Sequence, residues 1–398
     1  MTHFDVAVVG AGMIGSSAAL ALAETGAKTA LIGPPEPADK ATHTGAYASH
    51  YDEGRITRVL DTDPIWADWA AKSIARYAEI EERSGIGFHT PCGAVRIAPT
   101  GAPALAAALK AVEGFELKLE EISGEELTRR CPAVRLPENF TVLWEPAPAG
   151  HVNPRRMVAA LKAVSQEAGA TLFAQEAVSV AADGAGVSIG LTDGGTIACD
   201  RALVAVGPHA LDPRLLPVRP DLKPFGRTVV QIEVAPDDPG FAGLPSFIAA
   251  FDKDIANYGF YGVPPVAYPG GGFWIKAGNG GIGDRLEGSD TVRDWFHAGG
   301  SGEEARQIRE TMLEMFPGLE TARWRTEPCA LVETDTDRPF IGRVPGHEAI
   351  GVAIGCCGYA AKSCIAVGRT AADMIGSENW ANSAEAKPLT PIWRPRSA

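Results

Sequence analysis

The chain opens on an apolar run, residues 4–9, which breaks at Gly10-Ala11-Gly12-Met13-Ile14-Gly15 and continues into an alanine-rich stretch, 16–25. That order predicts strand, glycine turn and helix, with a second strand over 29–32. A polar stretch, 39–63, precedes a helix predicted over 64–84, where Trp66, Trp69, Ile74, Tyr77 and Ile80 recur near helical spacing. A strand follows at 93–98, then helices at 103–112 and 123–131, the latter with Ser123 as its cap. Asn153-Pro154 starts a helix over 154–168 that Gly169 ends. Strands are predicted at 171–182, 186–191 and 196–199. The apolar run 202–206, closed by Gly207, has the character of a buried parallel strand. From 229 to 277 the pattern changes to alternating strands (229–234, 259–263, 272–276) between Gly/Pro turns, which marks an antiparallel meander. A helix over 303–315, a strand over 350–354, a second glycine turn (Gly355 to Gly358) and a helix over 360–375 complete the chain, and the Pro-rich tail after Ser377 is expected to be irregular. The fold class is α/β, a Rossmann-type domain with a mostly parallel sheet plus an α+β domain with an antiparallel sheet.

The first glycine turn gives this pattern a chemical meaning. G-x-G-x-x-G between a strand and a helix is a dinucleotide-binding fingerprint. Gly10 permits the tight turn, Gly12 has no Cβ to hold the backbone away from a pyrophosphate, and Gly15 lets the helix pack against the strand. The helix start then turns its amides and positive dipole end toward phosphate, so Met13 and Ile14 join the glycines as cofactor-binding candidates. One part of the fingerprint is missing. The second strand should end in an acid for the ribose hydroxyls, but Gly33 stands there, followed by Pro34-Pro35, and Glu36 comes three residues late. This disfavours a freely exchanging NAD and suits a permanently held cofactor.

At 398 residues the chain exceeds one ordinary domain. A formal charge of −13 argues against nucleic acid or an anionic membrane as partner, while one local basic pocket suffices for a small anionic substrate. The chain has no 18-residue apolar run free of glycine or polar interruption, and its N-terminal apolar stretch lacks a basic leader region. Seven cysteines without framework spacing fit a reducing cytoplasm, and neither a metal site nor a CxxC motif is expected. The second glycine turn aims another helix N-terminus where the cofactor should lie, and so can stabilise negative charge on a reduced flavin.

With these motifs in place the sequence resembles the family of monomeric sarcosine oxidase and N-methyltryptophan oxidase, D-amino-acid-oxidase-like flavoenzymes, from residue 4 to about 375. Ser49-His50 followed by Arg55-Ile56-Thr57-Arg58 is similar to the family's flavin loop. The resemblance implies that Ser49, His50 and Arg55 lie beside the flavin, His50 and Arg55 at the reacting end, and that Arg58 forks the substrate carboxylate. Lys362, four residues after Gly358, would hold the same carboxylate, and Gly355, Gly358, Tyr359 and Lys362 would border the cofactor. Lys276, in Phe273-Trp274-Ile275-Lys276, matches a lysine that promotes the reaction with oxygen, where a fixed positive charge favours superoxide. Cys329, in Glu327-Pro328-Cys329, aligns with the cysteine that carries FAD covalently. Val178 and Gly207 fall where relatives contact adenosine and pyrophosphate. Phe260 and Tyr261 stand at the substrate site in place of a tyrosine, Gly280 replaces a histidine there, and Tyr51 replaces another in the flavin loop.

The resemblance implies a discontinuous FAD-binding domain (1–85, 150–220, 325–380), a substrate domain (86–149, 221–324) and a tail (381–398). It further implies an FAD-dependent oxidase of secondary amines, N-methyl or cyclic amino acids. A hydride passes to flavin N5, an imine forms and O₂ becomes H₂O₂. The partners are then a small-molecule amine and O₂, and the expected state is a monomer, with a dimer as the alternative. The rival readings are a dehydrogenase using another acceptor, a catalytically silent FAD-binding subunit and, more distantly, a free-NAD dehydrogenase.

Overall fold

The computed structural model describes residues 3–184, 186–251, 259–280 and 283–395. Two eight-stranded sheets organise it. In the first, the strand His3–Val9 lies between two parallel neighbours, Thr29–Ile32 and Thr196–Val204. The strand His347–Ile354 pairs in parallel with the second half of Thr196–Val204. The four residues of Thr29–Ile32 are all buried, as a strand covered on both faces requires. Helices Met13–Ala23 and Ala360–Gly376 cross one face so closely that a Cβ on Gly368 would lie 2.4 Å from Ser17 Cβ.

The second sheet runs Trp324–Glu333, Lys223–Val234, Phe273–Asn279, Phe260–Ala267, Ser246–Ala249, Ala94–Pro99, Phe140–Glu145, Glu120–Ser123. All its pairings are antiparallel except that of Ser246–Ala249 with Ala94–Pro99. Its core packs Phe247, Phe260 and Phe316 against helix Gly302–Met315. A small third sheet joins Arg55–Thr57 to Gly150–Val152 and His89–Thr90, and carries the chain between the two large sheets.

Several local expectations need correction. The helix over 64–84 is two helices, Pro64–Ile74 and Tyr77–Ser84. Arg76 N–H donates to Ser73 three residues back, at 3.0 Å, and this tighter turn resets the helix. The strand over 171–182 is also two. Thr171–Phe173 extends the parallel edge beside Thr29–Ile32, whereas Ala177–Asp183 pairs antiparallel with Gly186–Leu191 at the other end of the sheet. Conversely, 196–199 and 202–206 merge into Thr196–Val204. The strand Trp324–Glu333 belongs to the antiparallel sheet, so the chain re-enters the first sheet only at Phe340–Val344. The tail is anchored: Leu389 is buried, and Trp393–Arg394 pairs with Arg219–Pro220.

Candidate active site

A single cavity of about 490 Å³ runs from the first glycine turn to the second. At one end Gly10–Ile14, Gly33 and Pro34 form the wall. Gly10 has φ 109°, and a Cβ there would lie 2.4 Å from Ala205 O. A Cβ on Gly15 would lie 1.8 Å from Gly10 O, so the helix approaches as closely as it does only because of glycine. Gly12 differs: a Cβ there meets nothing nearer than His50 Nδ1 at 3.8 Å, which leaves its open side to the cavity. The missing ribose acid also acquires a steric reason. A Cβ on Gly33 would stand 2.6 Å from Ala11 N, so the strand end is pressed against the glycine turn. Glu36 is not a substitute. Its carboxylate is forked by Arg155 at 2.5 and 2.8 Å, away from the cavity wall. The acid that does line the cavity here is Glu176, whose Oε2 accepts Ala46 N–H at 3.0 Å.

The helix Met13–Ala23 starts at Gly12 and Ala360–Gly376 at Tyr359, neither with a side-chain cap. Their first amides are therefore free for an anionic ligand. Two uncapped helix starts, a glycine cradle and an elongated cavity suit a dinucleotide of the size of FAD. Gly10, Gly12, Met13, Ile14, Gly207, Gly355, Gly358 and Tyr359 all border this space. Gly15 acts from behind, through packing. Val178 lies outside the lining, where its neighbour Ala177 stands instead, at a point where the pairing of this strand with Gly186–Leu191 shifts register.

In the middle of the cavity the loop of Ser49, His50, Tyr51 and Arg55 forms one wall and Cys329 the other. Ser49 Oγ donates to Ala330 O at 2.6 Å, and Arg55 Nη2 donates to Ser49 O at 3.0 Å and to Cys329 Sγ at 3.4 Å. These bonds tie the loop to the strand carrying Cys329. Burial pulls the His50 imidazole down to about 3, so it is neutral at physiological pH. Arg227, unforeseen in the sequence, also faces the cavity, with Nη2 on Glu333 at 3.0 Å and with Nε and Nη1 buried without a partner.

The far end is cationic. Arg58 and Lys362 line it, and Asp61 stands behind them. Arg58 Nη1 is 3.0 Å from Asp61 Oδ2, and Lys362 Nζ donates to the same oxygen. This supplies the anionic partner that a lysine in the first turn of a helix requires. Burial alone would raise the Asp61 carboxyl, but Lys362 and Arg58 outweigh it and hold the group well below the usual carboxylate range. Burial draws the Lys362 ammonium down to about 8 against the pull of Asp61. Glu145 accepts the amides of Val59 at 2.8 Å and Leu60 at 2.7 Å, fixing the backbone beside Arg58. Arg96 enters the same end from the strand Ala94–Pro99. Neither Asp61 nor Arg96 figured in the sequence reading, although signals existed: Asp61 is three residues after Arg58, and Arg96 is a lone charge in an apolar strand.

Two further expected site residues are elsewhere. Phe260 is in the core of the second sheet, 5.6 Å from Phe247 between ring centroids, while the adjacent Tyr261 faces the cavity. Strand alternation sends one residue to each face, and Gly278 opposite makes room for the Tyr261 ring, since a Cβ there would lie 2.4 Å from its hydroxyl. Lys276 shares the Tyr261 face of the sheet but does not reach the cavity. The flavin-loop residues 52–54 cover it: Lys276 Nζ is 2.5 Å from Asp52 Oδ2 and donates to Gly54 O. Burial raises the Asp52 carboxyl, yet Lys276 and Arg55 together hold it at about 2, so this charge is already matched. Gly280 and Tyr51 line the cavity.

Comparison with known proteins agrees with this geometry. The chain is 26% identical to monomeric sarcosine oxidase of Bacillus sp. (strain B-0618), over 92% of this chain and 90% of that protein. It is 23% identical to N-methyl-L-tryptophan oxidase of Yersinia pestis (strain Pestoides F), over 93% and 94%. The fold is similar to that of NikD, an unusual amino acid oxidase essential for nikkomycin biosynthesis, in a Tyr-to-Phe mutant form, with a TM-score of 0.76 at 20% identity over 100% of this chain and 99% of that one. Residues 5–374 match the DAO family, FAD dependent oxidoreductase. With a glycine cradle at one end of the cavity, two helix starts turned into it and a family match spanning nearly its whole length, the chain belongs to the DAO family of FAD-dependent oxidoreductases.

Proposed function

We propose that the protein is an oxidase of secondary amines that carry a carboxylate, N-methyl or cyclic amino acids. The observation that carries this reading is the cationic end formed by Arg58, Lys362 and Arg96 in the same cavity that begins at the glycine cradle. FAD, when bound, supplies the two-electron acceptor, taking a hydride equivalent from the amine's C–H and returning the electrons to O₂. The protein's own work is then position and electrostatics. The cationic end draws the carboxylate in and fixes which carbon of the amine faces the middle of the cavity. The same positive charge, with burial, disfavours protonated amine, so the substrate is held in its neutral form without a dedicated base. The neutral His50 and the Tyr261 and Tyr359 rings line the remaining wall and exclude water from the reacting atoms. Cys329 and Arg55, joined across the cavity, are placed to hold the cofactor, Cys329 through a thioether.

One observation favours a second reading, a dehydrogenase with a different electron acceptor. Lys276 is covered and paired with Asp52, so no unmatched lysine charge meets oxygen there. Anaerobic titration of the FAD-loaded protein with N-methyl amino acids, proline homologues and D-amino acids tests both. Bleaching by a secondary amine, with colour and H₂O₂ returning on air, supports the oxidase. Bleaching that air does not reverse makes it a dehydrogenase. If no amine bleaches the protein, the reading is wrong.

A further inference from the structure

A dinucleotide-binding sheet of this kind has an acid at the carboxyl end of its second strand, where it accepts hydrogen bonds from the adenosine ribose. Gly33 occupies that place here, and a side chain on it would collide: a Cβ would stand 2.6 Å from both the Cβ and the N of Ala11. The neighbouring strand offers another route. Ile32 pairs in parallel with Phe173, and Gly33 N–H donates to Phe173 O at 3.0 Å, so the two strands end side by side. Glu176 follows Phe173 by three residues, a span of at most ~10 Å of extended chain. It lines the cavity together with Gly10, Gly12, Gly33 and Pro34.

The carboxylate of Glu176 is held in place from one side only. Its Oε2 accepts Ala46 N–H at 3.0 Å, and its backbone carbonyl accepts Thr192 N–H at 3.1 Å, which fixes the loop. Gly45 leaves the space for it, since a Cβ there would lie 2.8 Å from Oε2. The other oxygen, Oε1, has no hydrogen-bond partner among the described residues, and Glu176 is in no ion pair among them. The remaining acids of the lining are each matched by an arginine: Asp212 by Arg214 at 2.7 Å, Glu333 by Arg227 at 3.0 Å, and Asp290 by Arg293. A carboxylate offers acceptors alone, and ribose hydroxyls are the donors that such a group binds without a counter-charge.

We propose that Glu176 is the acid that accepts the ribose hydroxyls of the adenosine half of FAD. The loop after Thr171–Phe173 thereby takes over the role that a residue after Thr29–Ile32 would fill, and the tight contact of Gly33 with the glycine turn is preserved. The inference needs FAD as the ligand and is independent of which amine is oxidised.

The test uses the full-length chain made under riboflavin limitation, so that no flavin fills the cavity, with ADP as the probe. ADP carries the adenosine ribose and no flavin. 2′,3′-Dideoxy-ADP is the control, with the same adenine and diphosphate but no ribose hydroxyls. Calorimetric titration gives both Kd values for wild type, Glu176→Ala and Glu176→Gln. We expect Glu176→Ala to raise Kd for ADP by ~10- to ~100-fold, the range for lost charge-assisted hydrogen bonds. Glu176→Gln, which keeps a neutral acceptor, should raise it by less. Neither variant should move Kd for dideoxy-ADP by more than about twofold. A role confined to shaping the loop would weaken both nucleotides alike, and that result overturns the proposal. So does an ADP affinity unchanged in both variants, or a wild type that binds the two nucleotides equally. Glu176→Gln retains an acceptor for Ala46 N–H, so the comparison stands even where Glu176→Ala does not fold. Glu36→Gln should leave ADP binding unchanged, because Glu36 is forked by Arg155. Loss of ADP affinity in Glu36→Gln with Glu176→Gln unaffected would give the ribose to Glu36 and overturn the assignment.

Discussion

Asp61 Oδ2 lies 3.0 Å from Arg58 Nη1 and accepts a second hydrogen bond from Lys362 Nζ, although Lys362 is 301 positions further along the chain. One carboxylate thus joins the flavin-loop strand to the first turn of the helix Ala360–Gly376. Asp61 is 1% exposed, so breaking the contact leaves buried charge without compensation. Asp61→Asn should cost about 3–5 kcal/mol of stability. Denaturant unfolding of the FAD-loaded protein measures it, and a loss below about 1 kcal/mol would show that the frame is not assembled as described.

The same pair sets a pH dependence. Lys362 titrates at about 8 in the folded chain against an ordinary 10.5, because burial disfavours its charge. Between those values the unfolded chain binds a proton that the folded one does not, so this group's contribution makes stability rise with pH across that window. Carboxylate affinity should move the opposite way. Loss of the ammonium near pH 8 leaves Asp61 under-neutralised beside the substrate anion, and KM should rise above that pH. Lys362→Met should flatten this limb, as read from pH profiles of KM for an N-methyl amino acid.

The glycine turn separates two kinds of glycine. Gly10→Ala forces a side chain into φ 109° and to within 2.4 Å of Ala205 O, so it should destabilise the apoprotein itself by several kcal/mol, on the order of other strained-backbone and overpacking changes. Gly12→Ala has room in the protein alone, where its nearest neighbour is 3.8 Å away, and should leave apoprotein Tm within about 2 °C of wild type. Its cost should appear in FAD retention, measured as the flavin-to-protein ratio after gel filtration. Equal loss of apoprotein stability in both variants would contradict the assignment of Gly12 to the cofactor.

Cys329 is 7% exposed, lines the cavity and receives a hydrogen bond from Arg55. If its sulfur carries the flavin, acid precipitation should leave the yellow colour with the wild-type pellet and release it from Cys329→Ser. Release of all colour from wild type would make the cysteine a packed thiol. Arg55→Lys should slow attachment in the first case, since the single ammonium cannot reproduce two guanidinium contacts at Ser49 O and Cys329 Sγ.

Much of this protein was legible in its sequence, and the limits follow from the range of the interactions concerned. Apolar periodicity and the Gly10–Gly12–Gly15 spacing identified the first βαβ unit, because turn geometry and helix packing depend on residues adjacent in the chain. The same local logic located the second glycine turn and the antiparallel strands, but not their order: Lys223–Val234 pairs with Phe273–Asn279, which lies between it and Phe260–Ala267, so these three strands are not a simple meander. The resemblance of short motifs named Arg55, Arg58, Cys329 and Lys362, all of which the fold brings to one cavity. What sequence could not decide was which side chains that cavity sees. Phe260 and Tyr261 are neighbours, yet a one-residue step along a strand exchanges core for cavity. Lys276 lies on the correct face and is still covered, because Asp52 and Gly54 come from a loop more than 200 positions away. The periodic pattern determined the elements and the glycine chemistry. Only the tertiary structure decided that Asp61 answers both Arg58 and Lys362, since charge balance in a buried site is a sum over residues that distant parts of the chain bring together.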